Sequence, residues 1–241
     1  MVQTTSSALQ ASLDRACVYR ALAGLFREPH ADSLASARDR DLPELCAALQ
    51  RLAGDSDLVA EARALCDLFE GLGLGRLRRG HGDAFDESSA TRCAATEMDQ
   101  LDGSPQLEMT RTFEMADVGG FYRAFGVEVD PAGVRVDHIT CELEFMNLLA
   151  VKESIALQEE SDGEHAGICR DASRAFLRDH LGRWAPRLGR LLAESDADPV
   201  FRAAGRLLCD FVTFDAALID AEGAPVHVVD PIRREERTER T

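Results

Sequence analysis

No stretch of the chain approaches the roughly 18 consecutive apolar residues that a bilayer-spanning helix needs. The opening MVQTTSSALQASLDRAC has no basic segment leading into an apolar one. These absences predict a cytoplasmic protein. Strand signals are almost missing: apart from the short VHVV at 226–229, no run of alternating β-branched residues stands out, and no repeat of fixed period occurs. The seven cysteines, at 17, 46, 66, 93, 141, 169 and 209, never form a CxxC pair. An odd count argues against a disulfide framework and the wide spacing against structural zinc, so they are expected as reduced, small core residues.

The motifs of common chemistries are absent as well. There is no GxxxxGK[ST], no HExxH, no GxSxG and no repeated ExxH pair. The glycines of GLGLG at 71–75 follow a helical pattern rather than standing between a strand and a helix, which predicts a helix stop and not a dinucleotide loop. No cofactor, no metal and no catalytic turnover are expected. With 43 acidic against 27 basic side chains the net charge is −16, which repels nucleic acid and favours cationic partners.

What is present is helix. The hydrophobic content of 45% is enough for a packed core, and apolar residues recur three and four apart. Leu9, Leu13, Cys17, Leu22, Leu25 and Phe26 predict a first helix ending before Pro29. A short second helix is capped at Asp32 or Ser33, a third starts at Asp41-Leu42-Pro43 and stops at Gly54, and Asp57 caps a fourth running to about Leu72. Residues 76–105 turn polar and predict a flexible connection. Helix resumes near Glu108, and Phe113, Phe121, Tyr122 and Phe125 collect aromatic mass before Gly126. Phe121 and Phe125 are expected in the core, and Tyr122 less so because its hydroxyl needs a partner. A helix from about Ile168 to Trp184 carries Phe176, His180 and Trp184 four apart, a packing seam that Pro186 bends or ends. Asp198-Pro199 caps a last helix to about Ile219. The fold class is all-α, a compact helical bundle of two contacting lobes. The lobes are 1–75 and 106–222, joined by 76–105 into one domain, with a disordered charged tail at 223–241.

The chain is organised around residues 121–158. Asp137 is the expected N-cap of a helix starting at His138. Steps of about 100° place Ile139, Leu143, Met146 and Ala150 on one arc, with Phe145 and Leu149 beside it. Glu142 falls on the same arc, so it must be hydrogen-bonded, protonated or facing a wet groove. A paired structural Glu explains this as readily as a functional one.

Within this frame FYRAFG, followed by DHITCELEFMNLLAVKES, resembles the TorD/DmsD/NarJ-type redox enzyme maturation chaperones, whose hallmark is an aromatic-Gly segment and then a DHxxxELxFM helix. FLRDHLGRWAP at 176–186 is similar to that family's second signature and LEMTRTF at 107–113 to its E-Y-T-R segment. Together these cover residues 107–190. Val136 stands where the family usually has Pro, and Met109 where it has Tyr. MTRTFEMADVGGFYRAFG and LLAVKES are most similar to chaperones of type II dimethyl sulfoxide reductase-like molybdoenzymes. The resemblance implies a non-catalytic protein that binds the catalytic subunit of a molybdenum oxidoreductase, often at a twin-arginine signal peptide, until molybdenum cofactor is inserted. In this chain Asp137, His138, Glu142 and Tyr122 are the expected peptide-binding residues, at a groove floored by Phe145 and Met146. A helical assembly protein without signal-peptide recognition is the main alternative. A carboxylate enzyme with Glu142 as base is a third reading, and it would need a cofactor that the sequence does not show.

Overall fold

Residues 12, 15, 19, 22 and 26 share one stripe of a helix, and the first helix buries that stripe together with Asp14, Ala16, Val18, Ala21, Ala23 and Leu25 on its flanks. The structure, a computed structural model, describes residues 2–86, 93–101, 108–128, 133–159 and 163–222. The VHVV segment and the charged tail expected at 223–241 lie outside them. The first helix, α1 (Val2–Phe26), is followed by α2 (Ala31–Ser36), a π-helical turn (Ala37–Asp41), α3 (Leu42–Ala53), α4 (Asp57–Phe69) and α5 (Leu74–Phe85). Then come α6 (Glu97–Leu101), α7 (Glu108–Ala124), α8 (Ile139–Gln158), α9 (Gly163–Asp179), α10 (Leu181–Glu194) and α11 (Pro199–Glu222). Among the described residues there is no strand beyond one isolated bridge, Thr96 to His138. The fold is an all-α bundle.

Helix α8 lies between α1 and α9, α10 packs on α11, and α3 joins α1 to α4. Because α11 also reaches α4 and α1, helices from both ends of the chain share one hydrophobic cluster. Phe26, Leu45, Leu65, Leu143, Trp184 and Phe211 are all buried in it, each contributing on the order of 1.5–3 kcal/mol by leaving water.

Several expectations change on contact with the fold. Leu13, placed on the apolar stripe of α1 by spacing, stays 41% exposed, while Arg15 turns inward at 4%. The stretch expected as a flexible connection holds α5 and α6, with 87–92 and 102–107 outside the described residues. GLGLG does stop a helix, at Gly71, but Gly73 then begins α5. The helix expected to run from Ile168 to Trp184 breaks at His180, and Pro186 sits inside α10 rather than ending it. The last helix matches its signal: the Asp198 carboxylate accepts from the Val200 amide at 3.1 Å, one residue after Pro199.

Two glycines set the α10–α11 contact. A β-carbon on Gly205 would lie 2.6 Å from the Gly189 carbonyl oxygen, and one on Gly189 would strike the Gly205 carbonyl. Only a bare backbone at both positions lets the helices approach this closely.

The deepest polar feature ties four helices. Arg15 on α1 donates to Asp215 on α11 at 2.6 and 3.1 Å and to Glu153 on α8 at 3.1 Å. Glu153 also accepts from Arg170 on α9 at 2.8 Å, and Tyr19 donates its hydroxyl to Asp215 at 2.6 Å. Burial and the neighbouring Asp215 charge push the Tyr19 phenol up, so it stays a neutral donor. Arg15→Met should therefore lower the unfolding free energy in urea by about 3–5 kcal/mol, because Asp215 and Glu153 would be left buried without their shared cation. A loss below about 1 kcal/mol would show that the two carboxylates do not depend on Arg15.

Candidate functional site

Gly126, at φ 78°, ends α7 in a left-handed turn that a side chain would strain, and it sends Val127 and Glu128 across the start of α8. Tyr122, on the last full turn of α7, is 2% exposed and donates its hydroxyl to the Val136 carbonyl at 2.8 Å. It is thus more buried than Phe121 and Phe125, the reverse of the expectation, because a backbone carbonyl supplies the partner its hydroxyl needs. Phe113 points to solvent and does not join the cluster. The rings of Tyr122 and Phe145 stand 4.8 Å apart, those of Phe145 and Phe176 4.9 Å, and those of Phe125 and Phe145 5.9 Å, so α7, α8 and α9 meet in one aromatic cluster.

Asp137 is not the N-cap of α8. That position belongs to His138, whose Nδ1 accepts from the Thr140 amide at 3.2 Å. An accepting Nδ1 requires the proton on Nε2, a neutral ring. Burial agrees, pulling the His138 pKa down to about 4. Asp137 instead caps α6 across the chain: its Oδ2 accepts from the Met98 amide at 3.2 Å, and its carbonyl accepts from the Glu97 amide at 2.9 Å. The carboxylate is fully buried and held by Arg135 at 2.8 and 2.9 Å. The same guanidinium reaches Asp99 at 3.1 Å.

Glu142 points inward, as its arc requires. Its Oε2 accepts from the Trp184 indole at 3.0 Å, while Oε1 is buried with no partner. Burial and then the charge of Glu97 push its pKa well above the usual carboxylate range, which favours the protonated form. Glu97 is itself fully buried, 3.2 Å from His180 Nδ1. The other ring nitrogen of His180 lies 3.2 Å from Asp117. Burial opposes charge on that ring, but the two carboxylates outweigh it and raise the His180 pKa. The second signature therefore closes on the first: Trp184 grips Glu142, and His180 grips the neighbour that perturbs it.

Of the expected site residues, Tyr122 and Phe145 line an open groove of about 230 Å³, together with Val127, Cys141 and Leu148 and the carboxylates Glu128 and Glu144. Asp137, Glu142 and Met146 lie fully buried, and His138 is part-buried at the helix start. Glu144 pairs with Arg27, just past the end of α1, and also lines a second groove, of about 270 Å³, bordered by Arg20, Arg27 and Arg40. Sequence reasoning missed Glu97 inside a polar stretch. The signal was Thr96-x-x-Asp99, a capping pattern whose side chains bond at 2.7 Å. Among the described residues no cluster of three or more His, Cys, Asp or Glu could hold a metal, and no helix is long and apolar enough to cross a membrane.

A family profile described as "Nitrate reductase delta subunit" matches residues 31–189. The chain belongs to that family. The matched span contains Glu97, Asp137, Glu142, His180 and Trp184 but not Arg15 or Asp215, so the polar knot falls within the family's span and the four-helix tie reaches beyond it. The perchlorate reductase assembly chaperone protein of Dechloromonas aromatica (strain RCB) is 38% identical over 71 residues, 29% of this chain and 30% of the relative. The selenate reductase assembly chaperone protein of Thauera selenatis is 39% identical over 61 residues, 25% of this chain and 30% of the relative. The chain thus aligns with under a third of the length of these curated relatives.

The desolvated His138 predicts a pH signature. Its pKa falls from the ordinary 6.5 to about 4 on folding, so its contribution to stability is fully present above pH 6.5 and is lost as the pH falls toward 4. That contribution is at most about 3 kcal/mol. His138→Asn keeps a capping acceptor but removes the titration. Urea melts from pH 7 to pH 4 should therefore show a shallower loss for the variant than for the wild type, whereas identical slopes would mean that the ring is not desolvated.

Proposed function

We propose that this protein is a maturation chaperone for a molybdenum oxidoreductase. In this reading it binds the catalytic subunit, in part through a twin-arginine signal peptide, assists cofactor insertion and delays export until the enzyme is folded. The observation that carries the reading is the groove at the α7–α8 junction, where the carboxylates of Glu128 and Glu144 stand over an apolar lining of Val127, Phe145 and Leu148. Two arginines followed by an apolar segment offer the complementary pattern, guanidinium for the rim and hydrocarbon for the floor. The net charge of −16 would draw such a cation in. Family membership and the assembly-chaperone names of the two relatives support the same reading.

The buried residues of the signature take a positioning role in this proposal. Asp137 already holds its own guanidinium, Arg135, and links the start of α8 to α6. Glu142 fixes α8 against α10 through Trp184. Together they hold Phe145 and Glu144, one turn along α8, in place beneath the groove. Arg27 acts as a stand-in for the client: it occupies Glu144 until an incoming arginine exchanges with it.

Calorimetric titration with a synthetic peptide carrying two adjacent arginines and an apolar stretch tests this. Wild type should bind, and more weakly as salt rises. Glu144→Gln should weaken binding on the order of fivefold, the worth of a partly exposed charge pair of about 1 kcal/mol. Arg27→Gln should tighten it, since the competing cation is gone. If the wild type ignores the peptide, signal recognition is wrong, and a chaperone contacting only the mature client becomes the better reading.

A further inference from the structure

Two of the seven cysteines have been brought together by the fold. Cys46 on α3 and Cys66 on α4 place their sulfurs 3.1 Å apart, although 20 residues separate them in sequence. Both are half-buried, so a small solute can reach them. A disulfide needs about 2.0 Å between sulfurs, so roughly 1 Å of side-chain movement would close the bond. The helices that carry them already pack on each other and need not be recruited.

The surroundings make the two thiols unequal. The Cys66 thiol also lies 3.7 Å from the Leu42 carbonyl, which can take its hydrogen when it is not pointed at Cys46. The hydrogen bond from Cys66, outweighing burial and helped by the charge of Arg63, brings the Cys46 thiol down to about 7. Arg63 is itself held near α3 by donating to Gln50 at 2.8 Å. The Cys66 thiol is pushed up by the same pairing and by burial. Cys46 is thus the nucleophile and Cys66 the resolving thiol.

We propose that Cys46 and Cys66 form a redox-active dithiol that exchanges with low-molecular-weight disulfides to give a cystine joining α3 to α4. In the first step the Cys46 thiolate attacks one sulfur of the disulfide, a mixed disulfide forms, and the first small thiolate leaves and takes up a proton. Cys66 then loses its proton to solvent and attacks Cys46 Sγ, expelling the second small thiolate. The two protein thiols are oxidised to one disulfide, and the small disulfide is reduced to two thiols. A thiol with a pKa near 7 should react on the order of fivefold to tenfold faster at pH 7 than an unperturbed one, its larger thiolate fraction outweighing its lower intrinsic nucleophilicity. The inference does not depend on the proposed function, because it rests on α3 and α4, away from the groove.

The full-length reduced protein should be incubated with oxidised glutathione at pH 7 and followed by intact mass and peptide mapping. The expected product has lost two hydrogens, carries a Cys46–Cys66 cross-link, and keeps five of the seven thiols titratable. Cys66→Ser should stop at the intermediate, with one glutathionyl group on Cys46. Circular dichroism of this variant, matched to the wild type, confirms that it is folded. Absence of the cross-linked peptide, or glutathionylation spread evenly over Cys17, Cys46 and Cys209, would overturn the proposal.

Discussion

The buried charge of the Arg15 guanidinium is compensated out of water by Asp215 and Glu153 together, and this pairing places four helices at once. Asp215 brings in α11, Glu153 brings in α8, and Arg170 extends the tie to α9. Apolar burial supplies most of the free energy of such a bundle but is tolerant of sliding and rotation. A buried ion network is not, since a shift of one residue along any helix would strand a charge. The hydrophobic cluster accounts for why the helices collapse together, and the Arg15 network accounts for why α1, α8 and α11 do so in this register.

A second polar knot does the same locally for the site. Asp137, Glu97, Glu142, His180 and Trp184 come from three separate stretches of the chain and bond across α6, the start of α8 and the α9–α10 break. None of them faces the open groove. Their effect is to fix the first turns of α8, which set the buried Phe145 and the exposed Glu144 in the lining of the groove. A buried Glu142 accepting from Trp184 is a packing device with a polar address.

The chemistry of the groove follows from that support. Carboxylates at its rim have solvent on one side and an aromatic floor on the other, so under the proposed function an arriving arginine would gain charge pairing without full desolvation, and an apolar side chain beside it would gain burial. Arg27 already pairs with Glu144, and exchange of one guanidinium for another costs less than uncovering a bare carboxylate. In the proposed reading such a site favours reversible capture over tight locking.

How much could be read in advance divides along physical lines. Helix periodicity, the caps at Asp198 and Gly54, the absence of strands among the described residues and the inward aim of Glu142 depend on neighbours a few residues away, so the amino-acid order alone determined them. It also carried the paired signatures that mark the family. The sequence did not disclose that Asp137 caps α6 rather than α8, that Arg15 is buried, that His180 breaks its helix, or that Glu97 stands beside Glu142. Each of these depends on a partner tens of residues away or more: 39 between Met98 and Asp137, 200 between Arg15 and Asp215. Local pattern treats a charged residue as exposed, because burying it alone is prohibitive. Only the tertiary structure decided which charges found partners, and that choice separated the residues that support the groove from those that line it.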